Sequence, residues 1–249
     1  MNQADLAYLR HRGGARLAYR LRPGGSPTIL FLPGYASDME GAKAVALDAF
    51  AARRGLSMLR FDYSGTGSSS GHFDEGTLHG WLDETLLVID RLTKGPLILV
   101  GSSMGGWLAL WAALRRPDRV AALVGIAAAP DFTDWGFSNE QKDALRSNGR
   151  LERPNPYGDA PQVTSRAFWQ SGNSLRLLDS AIELDCPVRL VHGDADEDVP
   201  IEIAFRLLRQ LRSADVQLLT IKGGGHRLSE PNEIDAIRRT VAALTEPSE

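Results

Sequence analysis

The chain has 249 residues, of which 43% are hydrophobic and 24% charged, and this is the composition of an ordinary globular protein. A net charge of −3, without a block of lysines or arginines, argues against a nucleic-acid-binding protein. The single cysteine, Cys186, excludes an internal disulfide and a cysteine-rich metal site, and no apolar run is long enough for a membrane span.

The first half of the chain alternates short apolar runs with amphipathic segments. The opening "AYLRHRGGARLAYRL" predicts a hairpin that turns at Gly13 and Gly14. The strand "TILFLPG" precedes a helix, for which the spacing of Ser37 and Glu40 predicts a capping box and Gly55 the end. The following elements are the strand "LSMLRFDYSG", a helix over 77–94, the strand "PLILVGS", the helix "MGGWLALWAALRRP" and the strand "VAALVGIAAAP".

The same alternation returns near the end of the chain. "VRLVHGD" and "VQLLTIKG" predict two strands, each followed by a helix, and the last helix covers 230–245. Strands that are apolar at nearly every position, with helices between them, indicate a parallel sheet buried on both faces. We therefore predict a single α/β domain over 1–249, with an eight-stranded, mostly parallel sheet flanked by helices.

The segment from Asp131 to Asp185 interrupts this alternation. It contains short helical fragments, the stretch "RPNPYGDAP" that is unlike any regular element, and no predicted strand. An insertion of this length beside the strand ends of an α/β sheet is typical of a cap over a binding site. We predict a small helical cap over about 131–185.

The stretch "PLILVGSSMGGWLALWAAL" contains a serine between two glycines where a strand meets a helix. At such a turn the backbone of the serine is cramped, so the residues two positions away must lack side chains. Gly101 and Gly105 meet this requirement around Ser103, whereas Ser102 has no glycine at either position two residues away. The alternative is a glycine-rich connector without chemistry, but the strand–turn–helix context favours Ser103 as a nucleophile.

A serine hydroxyl needs a base, usually histidine, and in this arrangement the chain order is serine, acid, histidine. Of the five histidines, His226 follows a strand and three glycines, where a loop could bring the imidazole to the serine. His192 is at a strand end ahead of the acids and is predicted to be a packed residue. The acid comes from "HGDADEDVP", where we favour Asp196 over Asp194, Glu197 and Asp198 because it is the residue most free to project.

Two backbone N–H groups are candidates for the oxyanion hole. The N–H of Met104 is at the start of a helix, directly after the serine. The second donor is the N–H of Tyr35, after the tight turn at Gly34, and this role does not use the tyrosine side chain.

Taken together, "FLPGYASDMEGAKAVAL", "LRFDYSGTGSSSG", "LVGSSMGGWLALWAAL" and "CPVRLVHGDADEDVP" resemble the α/β-hydrolase superfamily. Within it the chain resembles the mitochondrial acyl-glucuronide esterases and acyl-protein thioesterases, with their bacterial relatives. The resemblance covers nearly the whole chain and is weakest across 131–185. It implies an α/β-hydrolase fold, Ser103 as nucleophile, Asp196 as acid, His226 as base, and backbone donors at Tyr35 and Met104.

The predicted activity is that of a serine hydrolase that cleaves carboxylic esters or thioesters without metal or cofactor. The substrate is a small acyl ester or thioester, or alternatively an S-acylated protein. Two rival functions stay open, a catalytically inactive ligand-binding protein on the same scaffold and a peptidase or amidase with the same triad. The N-terminus resembles neither a secretory signal nor a mitochondrial presequence, which predicts a cytoplasmic protein.

Overall fold

The computed structural model of the protein describes residues 3–11, 14–154 and 161–245. The strands are β1 (Leu6–Arg10), β2 (Arg16–Arg22), β3 (Gly25–Leu32), β4 (Leu56–Phe61), β5 (Leu97–Ser102), β6 (Val120–Ile126), β7 (Arg150–Arg153), β8 (Gln162–Ser165), β9 (Val188–Gly193) and β10 (Val216–Ile221). The α-helices are α1 (Ala42–Arg54), α2 (Leu78–Leu92), α3 (Met104–Arg115), α4 (Phe132–Trp135), α5 (Asn139–Asn148), α6 (Arg166–Asn173), α7 (Ile201–Gln210) and α8 (Pro231–Thr245).

Eight of these strands form one sheet in the order β1-β2-β4-β3-β5-β6-β9-β10. β1 and β2 are antiparallel to each other, and β2 is antiparallel to β4. From β4 to β10 every pair of neighbours is parallel. The predicted α/β fold with an eight-stranded, mostly parallel sheet is confirmed.

Both faces of the central strands are buried, which explains why these strands read as continuous apolar runs. In β3, Leu30 and Leu32 belong to the core cluster under α2 and α3, while Ile29 and Phe31 belong to the cluster under α1 and α8. The helices therefore cover the two faces as two separate layers.

The strand order brings together loops that are distant in the sequence. In a parallel sheet, the carboxyl ends of the strands share one edge. The turn after β3 is therefore next to the turn after β5. The loops after β9 and β10 are also neighbours, and one strand, β6, separates β5 from β9. This edge carries all five residues that the sequence predicts for the site.

The first helix starts later than the sequence predicts. The capping box of Ser37 and Glu40 is wrong, because the N-cap of α1 is Gly41, without a side-chain hydrogen bond. The Glu40 carboxylate instead pairs with the guanidinium groups of Arg20 and Arg60, at 2.6 Å and 2.9 Å. Ion pairs to two neighbouring strands keep Glu40 away from the helix end.

The 131–185 segment contains α4, α5 and α6, but the prediction that it has no strand is wrong. β7 and β8 pair as an antiparallel hairpin, with Arg150 opposite Ser165 and Arg153 opposite Gln162. Each strand has only four residues, too few for alternation to be recognised in the sequence. Most of the "RPNPYGDAP" stretch, like Gly13 of the predicted hairpin turn, lies outside the described residues.

Asp131 joins the beginning and the end of the 131–185 segment. Its carboxylate is buried and accepts hydrogen bonds from the backbone N–H groups of Leu177 and Leu178, both at 2.8 Å. Because two donors satisfy a buried carboxylate, this contact holds the segment as a closed unit on the edge of the sheet.

Candidate active site

Ser103 occupies a strained turn between β5 and α3. Its φ of 54° and ψ of −119° are a conformation that residues with a side chain rarely adopt. Three backbone hydrogen bonds hold it there: the Ser103 N–H donates to the Ile126 carbonyl at 2.9 Å, and the Ser103 carbonyl accepts from the N–H groups of Gly106 at 2.9 Å and Ala129 at 3.1 Å. The surrounding backbone therefore determines where this serine lies.

The glycines on both sides of Ser103 are required by close backbone contacts. A Cβ atom on Gly101 would lie 2.2 Å from the carbonyl oxygen of Gly105. A Cβ atom on Gly105 would lie 2.0 Å from the carbonyl oxygen of Leu32 in β3. The reason that the sequence suggests, that these positions cannot carry side chains, is also the reason in the structure.

Replacing Gly105 by alanine should therefore destabilise the protein. We expect the free energy of unfolding to fall by about 3 kcal/mol, because helix α3 must move away from β3 to admit the methyl group. Chemical denaturation monitored by circular dichroism measures this. Gly25→Ala is the matched control, since its Cβ would be 3.4 Å from the nearest atom. Equal denaturation midpoints for the two variants would contradict the steric argument.

A chain of two hydrogen bonds connects Ser103, His226 and Asp196. The Nε2 atom of His226 is 3.1 Å from Ser103 Oγ, and its Nδ1 atom is 2.9 Å from Asp196 Oδ2. With the carboxylate as acceptor, Nδ1 carries the proton and Nε2 is left to accept the serine proton. The structure thus brings together the three side chains that the sequence selects, and their roles remain predictions.

The Asp196 carboxylate is completely buried and fully hydrogen-bonded. Its Oδ1 atom accepts the backbone N–H groups of Asp198 at 3.0 Å and Val199 at 2.8 Å. Burial by itself would raise the pKa of this carboxyl, but the hydrogen bond from His226 and the nearby charges bring the pKa below its ordinary value. Asp196 therefore stays ionised throughout the neutral range.

The other acidic candidates have different surroundings. Asp194 accepts the backbone N–H of Gly223, which lies in the loop after β10 and not in the turn of Asp194 itself. Asp198 is exposed and does not cap α7, because the N-cap of that helix is Pro200, without a side-chain hydrogen bond. His192 is a packed residue, as predicted, with its Nε2 atom 2.9 Å from the Val199 carbonyl oxygen.

The glycines before His226 allow close backbone contact with the loop that carries Asp196. Gly223 has a left-handed φ of 73°, and a Cβ on Gly193 would lie 2.0 Å from the Gly224 carbonyl oxygen. The Gly224 carbonyl also accepts the backbone N–H of Ala195, at 3.0 Å. The loop that carries Asp196 and the loop that carries His226 are thus in direct backbone contact, which fixes the distance between acid and imidazole.

The backbone N–H groups of Tyr35 and Met104 are available to a ligand. Neither donates to an acceptor within the part of the chain that the structure describes. Met104 is the first residue of α3, where an N–H has no partner inside the helix and the helix dipole favours negative charge. The Gly34 turn lies against the serine, since a Cβ on Gly34 would be 3.4 Å from Ser103 Cβ. The arrangement can bind an oxyanion beside Ser103 Oγ.

A cleft of about 600 Å³ opens above Ser103. One wall comes from the turn after β3 and the start of α1, and the other comes from the 131–185 segment. The apolar part of the lining includes Phe132 and Trp135, and the polar part includes Lys43, Arg153 and Gln162. The volume is within the roughly 300–1,000 Å³ of small-molecule sites.

Lys43 is a residue of this cleft that the sequence analysis does not single out. Its ammonium donates to the backbone carbonyl of Arg227, the residue after His226. Burial lowers the pKa of Lys43 to about 8, with the Arg227 charge acting in the same direction and Glu233 against it. No local motif marks this lysine, because its contact joins α1 to a loop more than 180 residues later.

Among the described residues, one group of side chains has the spacing of metal ligands, Asp196, Asp198 and His226, with ligand atoms within 4.8 Å of one another. Both ring nitrogens of His226 already have partners in Asp196 and Ser103. A metal ion would have to replace one of these hydrogen bonds, so the donor set fits a hydrogen-bonded chain better than an ion.

Comparison with known proteins identifies the family. A family model described as alpha/beta hydrolase fold matches residues 27–150. The human protein named palmitoyl-protein thioesterase ABHD10, mitochondrial, is 38% identical over 246 residues, which cover 97% of this chain and 80% of that protein. The chain belongs to the α/β-hydrolase family.

Solved structures agree with this assignment. The alpha/beta hydrolase domain-containing protein 10 from mouse is 38% identical to this hydrolase, with a TM-score of 0.90 over 97% of this chain and 98% of that one. A putative hydrolase from Agrobacterium vitis S4 is 36% identical, with a TM-score of 0.92 over 98% of this chain and 100% of that one. The resemblance stated from the sequence motifs is confirmed.

The comparison overturns the predicted location of this hydrolase. The palmitoyl-protein thioesterases from human, orangutan, mouse, cattle and rat are all named mitochondrial, so the prediction of a cytoplasmic protein is wrong. The prediction depended on the residues at the N-terminus. Targeting signals are recognised by receptors, so the physical chemistry of the fold does not determine the compartment. No helix in the described ranges has both the length and the hydropathy needed to cross a bilayer.

Proposed function

We propose that this protein is a serine hydrolase that cleaves carboxylic esters and thioesters through a covalent acyl-enzyme. The observation that carries the proposal is the hydrogen-bonded chain from Ser103 Oγ through the His226 imidazole to the Asp196 carboxylate. Nucleophile, base and orienting acid in this order are the arrangement that activates a serine for acyl transfer.

In the first half of the reaction, His226 Nε2 takes the proton of Ser103 as Oγ attacks the acyl carbonyl. The Asp196 carboxylate holds the proton of His226 on Nδ1 and stabilises the imidazolium that forms. The backbone N–H groups of Tyr35 and Met104 stabilise the negative charge that develops on the carbonyl oxygen. His226 then donates its proton to the departing alcohol or thiol, which leaves an ester between the acyl group and Ser103.

In the second half, a water molecule takes the place of the leaving group. His226 accepts a proton from this water, whose oxygen attacks the acyl-enzyme carbonyl, and the same two N–H groups bind the second oxyanion. The proton returns to Ser103 Oγ as the carboxylic acid departs. The cycle uses only groups of the chain and water.

The substrate that we propose is a fatty-acyl thioester, including the S-acyl group of a protein. Relatives at 36–38% identity are named palmitoyl-protein thioesterases. The apolar side chains of the cleft suit an acyl chain, and its open side suits a large leaving group. Because Phe132, Trp135 and Gln162 line the cleft, we also propose that 131–185 acts as the cap that selects the acyl group.

Three matched substrates test this proposal. One short peptide carries a palmitoyl group on cysteine, on serine or on diaminopropionate, so that only the scissile bond changes from thioester to ester to amide. We expect turnover of the thioester and the ester. The amide should react at least about 100-fold more slowly, because an amine is the poorer leaving group.

Each alternative function has its own outcome in this experiment. Comparable turnover of the amide would indicate a peptidase or amidase. The third possibility is a ligand-binding protein. In that case the folded protein would hydrolyse none of the three peptides and would not react with a fluorophosphonate. Repeating the thioester assay with butanoyl and octanoyl groups measures which acyl length the cleft prefers.

A further inference from the structure

The side chain of Tyr35 makes a hydrogen bond that links the turn after β3 to the β7–β8 hairpin. Its hydroxyl donates to the backbone carbonyl of Val163, in β8, at 2.9 Å. The two residues are 128 positions apart in the sequence. The residue whose backbone N–H faces the oxyanion position is therefore attached through its own side chain to the 131–185 segment.

Aromatic side chains from two directions surround the Tyr35 ring. Phe168 in α6 has its ring centroid 4.7 Å away, and Phe132 in α4 is at 5.9 Å. On the other side, the ring centroids of Phe73 and Trp81 are at 4.9 Å and 6.1 Å. Edge-on and tilted contacts of this kind restrict how the ring can rotate and translate. The ring is thus held between the sheet domain and the 131–185 segment.

The backbone around Tyr35 needs such a restraint. Ala36 has a φ of 54°, in the left-handed region that residues with a Cβ rarely adopt. One hydrogen bond, from Ser37 N–H to the Gly34 carbonyl at 3.2 Å, closes the turn, and Met39 N–H is anchored on Asp62 at 2.7 Å. The first bond orients the peptide unit that carries the Tyr35 N–H, because the Gly34 carbonyl belongs to the same planar group, and the contacts of the Tyr35 side chain add a second restraint on the turn.

We propose that the Tyr35 side chain is a positioning residue for the oxyanion hole, which it orients by anchoring the turn to the Val163 carbonyl. This inference rests on the proposed function, because it assigns the Tyr35 N–H to the oxyanion. The β7–β8 hairpin of the 131–185 segment then affects the chemical step as well as substrate selection. Burial raises the pKa of the Tyr35 phenol to about 12, against the influence of Thr164 and Arg153, so the hydroxyl remains a donor at every assay pH.

Tyr35→Phe tests this, because it removes the hydroxyl and keeps the ring among its aromatic neighbours. A correctly oriented donor acts on the transition state and not on the bound substrate, so kcat should fall while KM stays the same. Loss of a complete oxyanion donor costs about 10²–10³-fold in kcat, and a displaced donor should cost less, about 10-fold. The inhibition constant of a trifluoromethyl ketone that forms a tetrahedral adduct should rise by the same factor.

Tyr63→Phe is the matched control. Tyr63 is also buried and packs on Trp81, with ring centroids 5.6 Å apart, but its hydroxyl has no hydrogen-bond partner within the described residues. We expect this variant to keep the wild-type kcat and inhibition constant. Thermal denaturation of both variants shows whether either substitution acts only through stability.

Four outcomes decide the matter. A lower kcat and weaker inhibition in Tyr35→Phe alone support the inference. An unchanged kcat with a lower melting temperature would make the hydroxyl purely structural, and an unchanged kcat with a raised KM would make Tyr35 only a wall of the cleft. Either result overturns the inference and leaves the proposed function intact. An inactive wild-type protein in the same assay would overturn both.

Discussion

Ser103→Ala is expected to abolish turnover, with kcat about 10⁵- to 10⁶-fold below the wild-type value. Without Oγ no acyl-enzyme can form, and the remaining groups can only assist direct attack by water. Initial rates with p-nitrophenyl butanoate measure the loss. Labelling by a fluorophosphonate, which reacts with the activated hydroxyl itself, should disappear in the same variant.

Ser102→Ala is the control for this substitution. The residue is adjacent and buried, and it carries the same hydroxyl, but it precedes the strained turn and is part of β5. Its kcat should remain within about fivefold of the wild-type value, and labelling should persist. If Ser102→Ala removed the labelling and Ser103→Ala did not, the nucleophile would be Ser102 and the assignment to Ser103 would be wrong.

Asp196→Asn is expected to lower kcat by about 10⁴-fold. The amide keeps the shape of the carboxylate but not its charge, and it can present N–H to the imidazole. The proton of His226 is then free to move to Nε2, where it blocks proton transfer from Ser103. Steady-state kinetics with the same ester measures this, and fluorophosphonate labelling should slow down without disappearing.

Asp194→Asn provides the matched control. Its Oδ1 atom accepts a backbone N–H, which an asparagine oxygen can also do, so we expect kcat within about fivefold of the wild-type value. A large loss in Asp194→Asn or in an equivalent Asp198→Asn variant, with near-normal turnover in Asp196→Asn, would transfer the acid role to that neighbour.

Asp196→Asn should also change how the free energy of unfolding depends on pH. The pKa of Asp196 is below its ordinary value in the folded protein, so its ionised form stabilises the fold above the unfolded-state pKa of about 3.9. This contribution is lost as the pH falls through the lower folded-state pKa. The difference in unfolding free energy between wild type and Asp196→Asn should therefore be largest near neutral pH and shrink below about pH 4.

Much of the fold could be predicted because its signals are local. A buried parallel strand needs apolar side chains on both faces, and this leaves runs such as "PLILVG" that can be recognised without knowing their neighbours. The turn at Ser103 is also local, since Gly101 and Gly105 make room for each other and for β3 within five residues. The capping box at Ser37 is wrong for the opposite reason, because the partners of Glu40 are on distant strands.

The acid could only be narrowed to a short list from the sequence. Four carboxylates fall within "HGDADEDVP", and the residues next to each do not show which carboxylate contacts the histidine. Which of them meets His226 depends on the contact between Gly193 and Gly224, which joins two loops from different strands. The 2.9 Å contact between Asp196 Oδ2 and His226 Nδ1 supports Asp196 over its neighbours.

The sequence by itself determined the α/β architecture, the serine at its strained turn and the family, because each of these depends on residues that are close together in the chain. The tertiary structure alone decided which carboxylate contacts His226, that β7 and β8 form a hairpin, and that the Tyr35 hydroxyl reaches Val163. These contacts connect residues up to 128 positions apart. Their energies depend on distance and orientation in the folded chain, and no local pattern of residues encodes either.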